Sequence, residues 1–400
     1  MKKSTKAIHT NYARRDAWDA LQIPVYNCLA YEFDDAAYMS DVFAGKVIVP
    51  DYSRVLNPTV MHLEDRVKNL TDAREVSAFS SGMAAISAML ISVASAGKNI
   101  VSSRHMFGNT YLLVTRTLER FGVEARLVDL CNPEEVKAAV DKDTCCIFLE
   151  TVTNPQTEVA DVRELSKIAR EWNIPLIADT TIIPFTEFDG REIGLDFQVV
   201  SSTKYISGGA TSLGGLIIDY GRFPEISERI KKEMVFNLGG YMTPQAAYQQ
   251  IIGLETLAVR YARQARSARE IAEFLLTLPE VKAVGYPGLE SHPNYQLARQ
   301  LYGDTAGAMV TFDLEDKDTC FKFINSLKLF HRATNLFDNR SLAIHPASTI
   351  FVTLSDEERK EMDVKDTTIR LSIGLEDPED LKAALAHAIS CASASASSKV

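Results

Sequence analysis

The sequence of 400 residues predicts an α/β fold: a mostly parallel central sheet with helices on both faces, followed by a smaller α+β C-terminal domain. Two observations predict this fold. Between about residues 63 and 220, short apolar runs rich in β-branched residues alternate with helical patterns, an order typical of parallel sheets. Beyond a long helical stretch from about Pro244 to Leu278, further strand patterns occur together with helices.

The strands of both domains are predicted by apolar runs, most of them too short to be helices. In the larger domain these runs are VSAF, NIVSS, ARLVDL, CCIFLET, IPLIADT, FQVVSST and LGGLIID. Helical patterns between many of them are SGMAAISAMLISVA, GNTYLLVTRTLERFG, PEEVKAAV and VRELSKIAREW. The smaller domain contributes the strands VKAVGYP, AMVTFDL, SLAIHP and TTIRLSIG, with the helices DTCFKFINSLK and PEDLKAALAHAIS.

Composition divides the chain into four segments. Residues 1–60 carry prolines and aromatics with little periodicity, which predicts an extended arm. Residues 61–245 form the predicted large domain, and residues 246–390 form the C-terminal α+β domain. Residues 391–400 end in the low-complexity run ASASASSKV, which predicts a disordered tail.

Charge and composition exclude several classes of protein. The net charge of −10 argues against nucleic-acid and anionic-membrane partners. The sequence contains no apolar run of the roughly 18 residues that span a bilayer, and its basic N-terminus lacks the apolar core of a secretory signal. The six cysteines show no CxxC spacing, so we expect a cytoplasmic protein without disulfides or a metal. His105 and His345 are interpreted as structural residues.

Several strands of the predicted sheet end in polar residues, and ligands of such sheets bind at these carboxyl ends. Ser81, Gly82 and Met83 follow VSAF and open a helix; this suits a phosphate group, although an ordinary N-cap is the simpler interpretation. Asp179 follows another strand, where it either pairs with a cation or caps a loop. Lys204 follows the hydroxyl residues at the end of FQVVSST. Most lysines are solvated, but burial at this position would make the amine a nucleophile.

One cofactor would use all three features. Pyridoxal 5'-phosphate needs a lysine for its aldehyde, an acid for its pyridinium nitrogen and a cradle for its phosphate. The chain presents these in the order SSGM, Asp179 and Lys204. The order favours a pyridoxal-phosphate enzyme.

A series of motifs carries a family resemblance. YSRVLNPT, SSGMAAI, LETVTNPQ, IADTT, SSTKYISGG, HPAS and IRLSIGLED resemble, in order, motifs of the pyridoxal-phosphate enzymes of cysteine and methionine metabolism. The resemblance extends from IPVYN to GLEDPEDL, nearly the whole chain. It implies the pyridoxal-phosphate-dependent transferase fold, which is aspartate aminotransferase-like, and an activity among cystathionine synthases and lyases, methionine γ-lyases and homoserine-ester sulfhydrylases.

The resemblance assigns cofactor contacts to residues of this sequence. It implies that Lys204 forms the Schiff base, that Asp179 holds the pyridine nitrogen and that Asn154 lies near the ring oxygen. A larger set is implied to hold the phosphate: Ser81, Gly82, Met83, Ser201 and Thr203.

The resemblance also implies a substrate clamp and a second subunit. Arg370 matches the residue that binds the substrate α-carboxylate, with Asn335 beside it, although a strand-edge arginine is the simpler interpretation of the local pattern. Tyr52 and Arg54 match a pair that reaches the phosphate from a neighbouring subunit. We therefore expect a homotetramer, a dimer of dimers with active sites at the dimer interface, acting on a small amino-acid substrate.

Several positions depart from the family pattern. Phe107 stands where a tyrosine usually lies over the cofactor ring, so it can stack but cannot transfer a proton; this resembles the O-succinylhomoserine sulfhydrylase branch. Tyr111 falls on the following helix and is not expected to replace the missing phenol. Other departures, which bear on the substrate, are Thr180, Val200, Gly209 and Asn335.

The predicted function is γ-replacement on an O-acylhomoserine with sulfide or a thiol. The alternative within the family is a methionine γ-lyase or a cystathionine γ- or β-lyase, which would need a proton donor that the motifs do not supply. A nicotinamide dehydrogenase would need GxGxxG after a strand, and the sequence has none. Retention of Lys204, Asp179 and Arg370 argues against a non-catalytic relative.

Overall fold

The computed structural model describes residues 1–9, 16 and 18–394. In the larger domain the strands form one seven-stranded sheet, and in the smaller domain they form a four-stranded sheet. No helix in these described residues is both long enough and apolar enough to cross a membrane.

The helices include one in every predicted helical pattern and others that no pattern predicted. They are α1 (Lys3–Ile8), α2 (Ala36–Phe43), α3 (Pro58–Thr71), α4 (Gly82–Val93), α5 (Gly108–Leu112), α6 (Pro133–Ala139), α7 (Val162–Glu171), α8 (Pro224–Arg229), α9 (Pro244–Glu255), α10 (Leu257–Leu275), α11 (Tyr295–Tyr302), α12 (Lys317–Ser326), α13 (Asp356–Glu361) and α14 (Pro378–Ala394). π-helical turns continue α5 over Leu113–Thr117 and α8 over Ile230–Val235.

Each predicted apolar run contains a strand. The strands are β1 (Glu75–Phe79), β2 (Asn99–Ser103), β3 (Glu124–Val128), β4 (Thr144–Glu150), β5 (Leu176–Asp179), β6 (Phe197–Val200), β7 (Gly215–Asp219), β8 (Ala283–Gly285), β9 (Met309–Asp313), β10 (Leu342–Ile344) and β11 (Thr368–Ser372).

The large sheet is mostly parallel, as predicted. Its strand order is β1-β7-β6-β5-β4-β2-β3, and β7 alone runs antiparallel to its two neighbours. Alternate residues of β4 enter different apolar clusters: Ile147 and Leu149 pack in one, Cys146 and Phe148 in the other. Because successive side chains of a strand point to opposite faces, both faces of the sheet are covered.

The smaller sheet is antiparallel throughout, in the order β10-β11-β9-β8. Helix α10 packs against β8 and β9, and α14 packs against α10 and α12. This arrangement is the predicted α+β domain. The same apolar cluster runs from the larger domain into this one, so β11 is held firmly beside the carboxyl ends of the large sheet.

Three predictions about the elements need correction. The arm is not extended throughout, because it contains α1 and α2. Helix α1 packs against α3 and α9, and Lys3 Nζ donates to the backbone oxygen of Phe185 at 2.9 Å. The long helical stretch breaks at Thr256 into α9 and α10. Helix α14 includes residues 391–394, which were assigned to the tail; residues 395–400 lie outside the described residues.

Candidate active site

A cavity of about 540 Å³ lies at the carboxyl ends of β4, β5 and β6 and is closed by residues of the smaller domain. It gathers every predicted site residue except Tyr52 and Arg54. The predicted residues that line it are Ser81, Gly82, Met83, Phe107, Asn154, Asp179, Ser201, Thr203, Lys204, Asn335 and Arg370.

Lys204 enters the cavity from the loop that follows β6. Its Nζ donates to Asn335 Oδ1 at 3.0 Å. Burial and the positive charge of Arg370 lower the pKa of Lys204, and Asp179 opposes them; together they place it at about 8. An amine with this pKa gives up its proton near neutral pH, which a nucleophile or a general base requires.

Two carboxyl groups stand side by side at the ends of neighbouring strands. Glu150 of β4 pairs in register with Asp179 of β5. Asp179 Oδ1 accepts from the Thr181 backbone N–H at 2.9 Å, and Glu150 Oε1 accepts from the Phe107 backbone N–H at 2.6 Å. Burial raises the pKa of both groups; for Glu150, burial and the negative charge of Asp179 raise the pKa to about 8.

Glu150 is a site residue that the sequence analysis missed. It lines the cavity and, like Asp179, is the last residue of its strand. Asp179 is predicted as the residue after its apolar run, whereas Glu150 lies inside the run CCIFLET and is predicted as part of the strand. A glutamate that ends an otherwise apolar strand at the same sheet edge as Asp179 was the available signal. Thr181 was also missed; its backbone N–H donates to Asp179, two residues before it.

The N-terminus of α4 forms the side of the cavity that can receive an anion. Ser81 Oγ accepts from the Ala84 N–H at 3.1 Å, so Ser81 is the N-cap. A Cβ added at Gly82 would lie 2.6 Å from Ser201 Cβ, so only glycine lets Ser201 approach the helix end this closely. The first N–H groups of a helix have no acceptor within the helix, and they favour a phosphate here.

Ser201 and Thr203, the two predicted phosphate contacts of the SST segment, differ in their existing hydrogen bonds. Thr203 Oγ1 donates to the Gly214 carbonyl at 3.2 Å and accepts from the Gly214 N–H at 3.0 Å. Ser201 lies against Gly82, and its backbone N–H donates to Thr181 Oγ1 at 2.8 Å. Ser201 is therefore the better placed hydroxyl for a phosphate at this helix end.

Arg370 of β11 closes the opposite side of the cavity. It is 4% exposed. Its Nη1 donates to Asn154 Oδ1 at 3.1 Å and its Nη2 donates to the Asn335 backbone oxygen at 3.2 Å. Its buried Nε has no hydrogen-bond partner among the described residues, and burial lowers its pKa to about 9. A buried guanidinium with an unused donor fits a carboxylate ligand.

The aromatic side of the cavity carries no phenol. Phe107 lines the cavity, while Tyr111 is buried in α5 outside it. No tyrosine occurs among the described lining residues. The departures Thr180, Val200 and Gly209 also lie outside the lining; Thr180 donates to Gln198 Oε1 at 3.1 Å instead.

Tyr52 and Arg54 are not brought to the cavity of their own chain. Arg54 donates from Nη1 to the Phe236 backbone oxygen, and its guanidinium carbon lies 5.6 Å from the centroid of the Tyr52 ring. Tyr52 is 42% exposed. Within the described lining, Lys204 and Arg370 are the lysine and arginine residues, so the helix end that can receive an anion has no cation of its own.

The fold and the cavity together define a class. An aspartate aminotransferase-like sheet that presents a lysine, a carboxylate and a helix N-terminus in one cavity is the arrangement of a pyridoxal-phosphate enzyme. The chain belongs to the Cys/Met metabolism PLP-dependent enzyme family, whose sequence profile matches residues 4–390. The predicted family, fold and cofactor are confirmed, and the nicotinamide dehydrogenase is excluded.

Relatives of the chain act in more than one way. It is 37% identical to an L-methionine gamma-lyase of Fusobacterium nucleatum, over 96% of this chain and 98% of that protein. It is 31% identical to an O-acetyl-L-homoserine sulfhydrylase of Corynebacterium glutamicum, over 95% of each. A Campylobacter jejuni crystal structure, of a protein assigned as an O-acetylhomoserine (thiol)-lyase, superposes with a TM-score of 0.94 at 33% identity, covering 98% of this chain and 100% of that one. That protein carries N'-pyridoxyl-lysine-5'-monophosphate at position 205.

Proposed function

We propose that the protein catalyses γ-replacement on an O-acylhomoserine with sulfide or a thiol, as O-acetyl- or O-succinylhomoserine sulfhydrylases and cystathionine γ-synthases do. One observation carries the proposal: Phe107 lines a cavity whose described lining contains no tyrosine. Elimination from methionine or cystathionine expels a thiolate and calls for a proton donor beside the leaving sulfur. In replacement on an O-acylhomoserine the acyl group leaves as a carboxylate, which needs no proton, and an incoming sulfur nucleophile then bonds to the same carbon. The similarity to the Corynebacterium O-acetyl-L-homoserine sulfhydrylase supports this choice.

We assign the bond to the cofactor and the proton transfer to Lys204. Pyridoxal phosphate, when bound, supplies an electron sink for the substrate carbon. Lys204 would hold the cofactor through Nζ and then take the substrate's α-proton. Its pKa of about 8 supports both tasks. Asp179 would hold the pyridinium nitrogen in its protonated form, and Glu150 supports Asp179 from the next strand.

The cofactor's other contacts follow from the same geometry. The phosphate would lie at the α4 N-terminus, against Ser81, Gly82, Met83, Ser201 and Thr203. Asn154 would face the ring oxygen with its Nδ2, because its Oδ1 already accepts from Arg370. Arg370 would bind the substrate α-carboxylate through its unused Nε, with Asn335 beside it. Phe107 would stack on the cofactor ring.

The phosphate needs a positive charge that this chain's cavity does not supply, and we propose that Tyr52 and Arg54 of a neighbouring subunit bring it. The arm that carries them exposes large apolar side chains, among them Trp18, Leu21 and Leu29 at 90%, 99% and 70%, which support burial against a partner. We propose a homotetramer built as a dimer of dimers, working in the cytoplasm; all six cysteines are free thiols, which agrees with a reducing compartment.

Subunit mixing tests this assembly. R54A and K204A chains are each expected to be inactive. Refolding them together should restore roughly a quarter of the wild-type sites, because random pairing makes half of the dimers mixed and one of the two sites in each mixed dimer combines an intact Arg54 with an intact Lys204. Activity that stays absent in the mixture, with dimers present by light scattering, would contradict a contribution from the neighbouring subunit.

A substrate panel tests the reaction itself. Purified enzyme is given acetyl-, succinyl- and phosphohomoserine with sulfide or cysteine, and separately methionine and cystathionine. The proposal predicts thiol or thioether formation from at least one ester at a much higher kcat/KM than 2-oxobutyrate release from methionine or cystathionine. Faster 2-oxobutyrate release from those two substrates would overturn it.

The second candidate is a methionine γ-lyase or a cystathionine γ- or β-lyase. The similarity to the Fusobacterium L-methionine gamma-lyase over almost the whole chain favours it. This alternative has to find its proton donor among the other polar residues that line the cavity, such as Thr181, Thr334 or Asn109. The substrate panel distinguishes the two candidates directly.

A further inference from the structure

His105 lies between two carboxyl groups that belong to different parts of the molecule. Its Nδ1 is 2.8 Å from Glu158 Oε2, in the loop after β4, and its Nε2 is 2.9 Å from Asp363 Oδ2, in the turn after α13. Glu158 belongs to the larger domain and Asp363 to the smaller one. His105, two residues before Phe107, therefore joins the loop after β4 to the turn after α13.

The protonation state of His105 follows from these contacts. A carboxylate only accepts hydrogen bonds, and a neutral imidazole can donate from one nitrogen alone. Both contacts are satisfied together only when the ring carries two N–H groups, as imidazolium. Burial lowers the pKa of His105, but the hydrogen bonds and charges of Glu158 and Asp363 outweigh it, so the pKa is raised above its usual range.

The other groups around this triad do not supply a competing positive charge. Glu158 is also approached by Cys131 and His292 and lies close to Asp129. Burial raises the pKa of the Cys131 thiol to about 12 and lowers the pKa of His292, so near neutral pH both are uncharged. His105 is thus the charged partner of Glu158 and Asp363.

His105 belongs to the loop between β2 and α5 that also carries Phe107 into the cavity. This loop is tied on its other side by the Phe107 N–H, which donates to Glu150. Gly108 is pressed against the smaller domain: an added Cβ would lie 2.8 Å from the Ile350 carbonyl oxygen. Where the loop sits therefore depends on its contact with the smaller domain.

We propose that protonated His105 is a positioning residue, which clasps the Phe107 loop to the smaller domain through Asp363 and to the larger domain through Glu158. The clasp fixes Phe107 over the cofactor site at low and neutral pH and releases it at higher pH. The effect on catalysis rests on the proposed role of Phe107; the clasp itself does not.

The direction of the pH dependence follows from linkage. A histidine whose pKa is higher in the folded protein stabilises it fully below the pKa of the unfolded chain, about 6.5, and loses that contribution as the pH rises through the folded value. The Glu158 contact is the better shielded one, since Glu158 is 26% exposed and Asp363 is 67% exposed. Added salt should weaken the Asp363 contact first.

Hydrogen exchange of the holoenzyme tests the clasp without using activity. Deuterium uptake at the imidazole carbon, read by mass spectrometry over a pH series, gives the pKa of His105. We expect its midpoint above about 6.5, the value of an unperturbed imidazole, and lowered by D363N. Asparagine suits Asp363, whose φ of 52° is left-handed. D72N is the matched control, since Asp72 has a φ of 49° on a distant helix.

Amide exchange of residues 105–111 reports the position of the loop. With intrinsic rates corrected, H105N should speed exchange about tenfold at pH 6.5, and wild type should show the same increase as the pH rises through the His105 midpoint. H105R keeps two donors and its charge, so protection should persist to high pH. A His105 midpoint at or below about 6.5, or unchanged loop exchange in H105N, would overturn the clasp.

These results separate the clasp from the proposed function. If the exchange data agree and the substrate panel shows elimination, the clasp stands and the γ-replacement assignment fails. If the panel shows replacement and the exchange data disagree, the γ-replacement assignment stands and the clasp fails.

Discussion

The two ends of the cavity hold their charges in different ways. At the end formed by β4, β5 and β6, the pKa values of Glu150 and Lys204 both move to about 8 and that of Asp179 is raised. At the end formed by β11, Arg370 keeps a positive charge in a buried position, with its Nε unsatisfied. One end is composed of groups that can exchange protons near neutral pH, and the other of a fixed cation.

This difference assigns proton transfer to one end of the cavity and ligand recognition to the other. Groups whose pKa lies near the working pH are suited to proton transfer, and a buried guanidinium is suited to a carboxylate. On the proposed function, the larger domain would supply the reacting groups and the smaller domain would bind the substrate. Asn335 connects the two ends, because its side chain accepts from Lys204 and its backbone oxygen accepts from Arg370.

Removing the amine should abolish the reacting end. K204A is expected to lower kcat by about ten-thousandfold or more, because one side chain supplies both the link to the cofactor and the general base. Steady-state kinetics with the best ester substrate measure this. K328A, at an exposed lysine of the smaller domain, is the control, and a K204A enzyme with near-normal kcat would refute the assignment.

Removing the fixed cation should damage recognition of the substrate and leave the cofactor bound. R370A is expected to lower kcat/KM by about a hundredfold to a thousandfold, the effect of losing charge-assisted hydrogen bonds to a carboxylate. The visible spectrum of the bound cofactor should stay unchanged. R332A, at an exposed arginine, is the control; an R370A enzyme whose loss is equal for substrates with and without the α-carboxylate would argue against the clamp.

A phenol placed in the cavity should increase elimination relative to replacement. F107Y is expected to raise the ratio of 2-oxobutyrate to thioether several-fold, because a tyrosine can donate a proton to the γ-carbon after the acyl group has left, where sulfur would otherwise add. The change is measured as the ratio of the two products formed from one ester with limiting sulfide. F121Y adds the same hydroxyl at a side chain that is 69% exposed, and should leave the ratio at its wild-type value.

The paired carboxyl groups predict a modest pH dependence of stability. Glu150 ionises near pH 8 in the folded protein and near 4.3 in the unfolded chain. Between these values the folded state binds the extra proton, so stability falls as the pH rises, by up to about 1.4 kcal/mol per pH unit. E150Q should flatten the fall of the unfolding temperature from pH 6 to 8. E290Q, at an exposed glutamate, should keep the wild-type slope.

The reacting end was largely predictable from the sequence. Parallel strands bring their carboxyl ends to one edge, so Asp179 and Lys204 could be placed together from strand patterns alone. The family resemblance added Asn154 and Arg370, whose local patterns are uninformative. Glu150 was not predicted because it lies inside the apolar run CCIFLET, although its register with Asp179 makes the two residues neighbours.

Contacts between distant segments were not predictable. The hydrogen bond from Lys204 to Asn335 and the triad of Glu158, His105 and Asp363 join residues far apart in the chain. No periodicity or spacing encodes such pairs, because they depend on how the two domains pack. The helices of the arm were missed for a similar reason: α1 is short, and short helices owe their stability to tertiary packing, here against α3 and α9.

The most direct test of the account is the identity of the lysine that carries the cofactor. The holoenzyme is reduced with borohydride, which fixes pyridoxal phosphate to that lysine, then digested and analysed by mass spectrometry. The account predicts the pyridoxyl mass on the peptide that contains Lys204, and no labelled peptide in K204A. Label on a different lysine in the wild-type enzyme would contradict it.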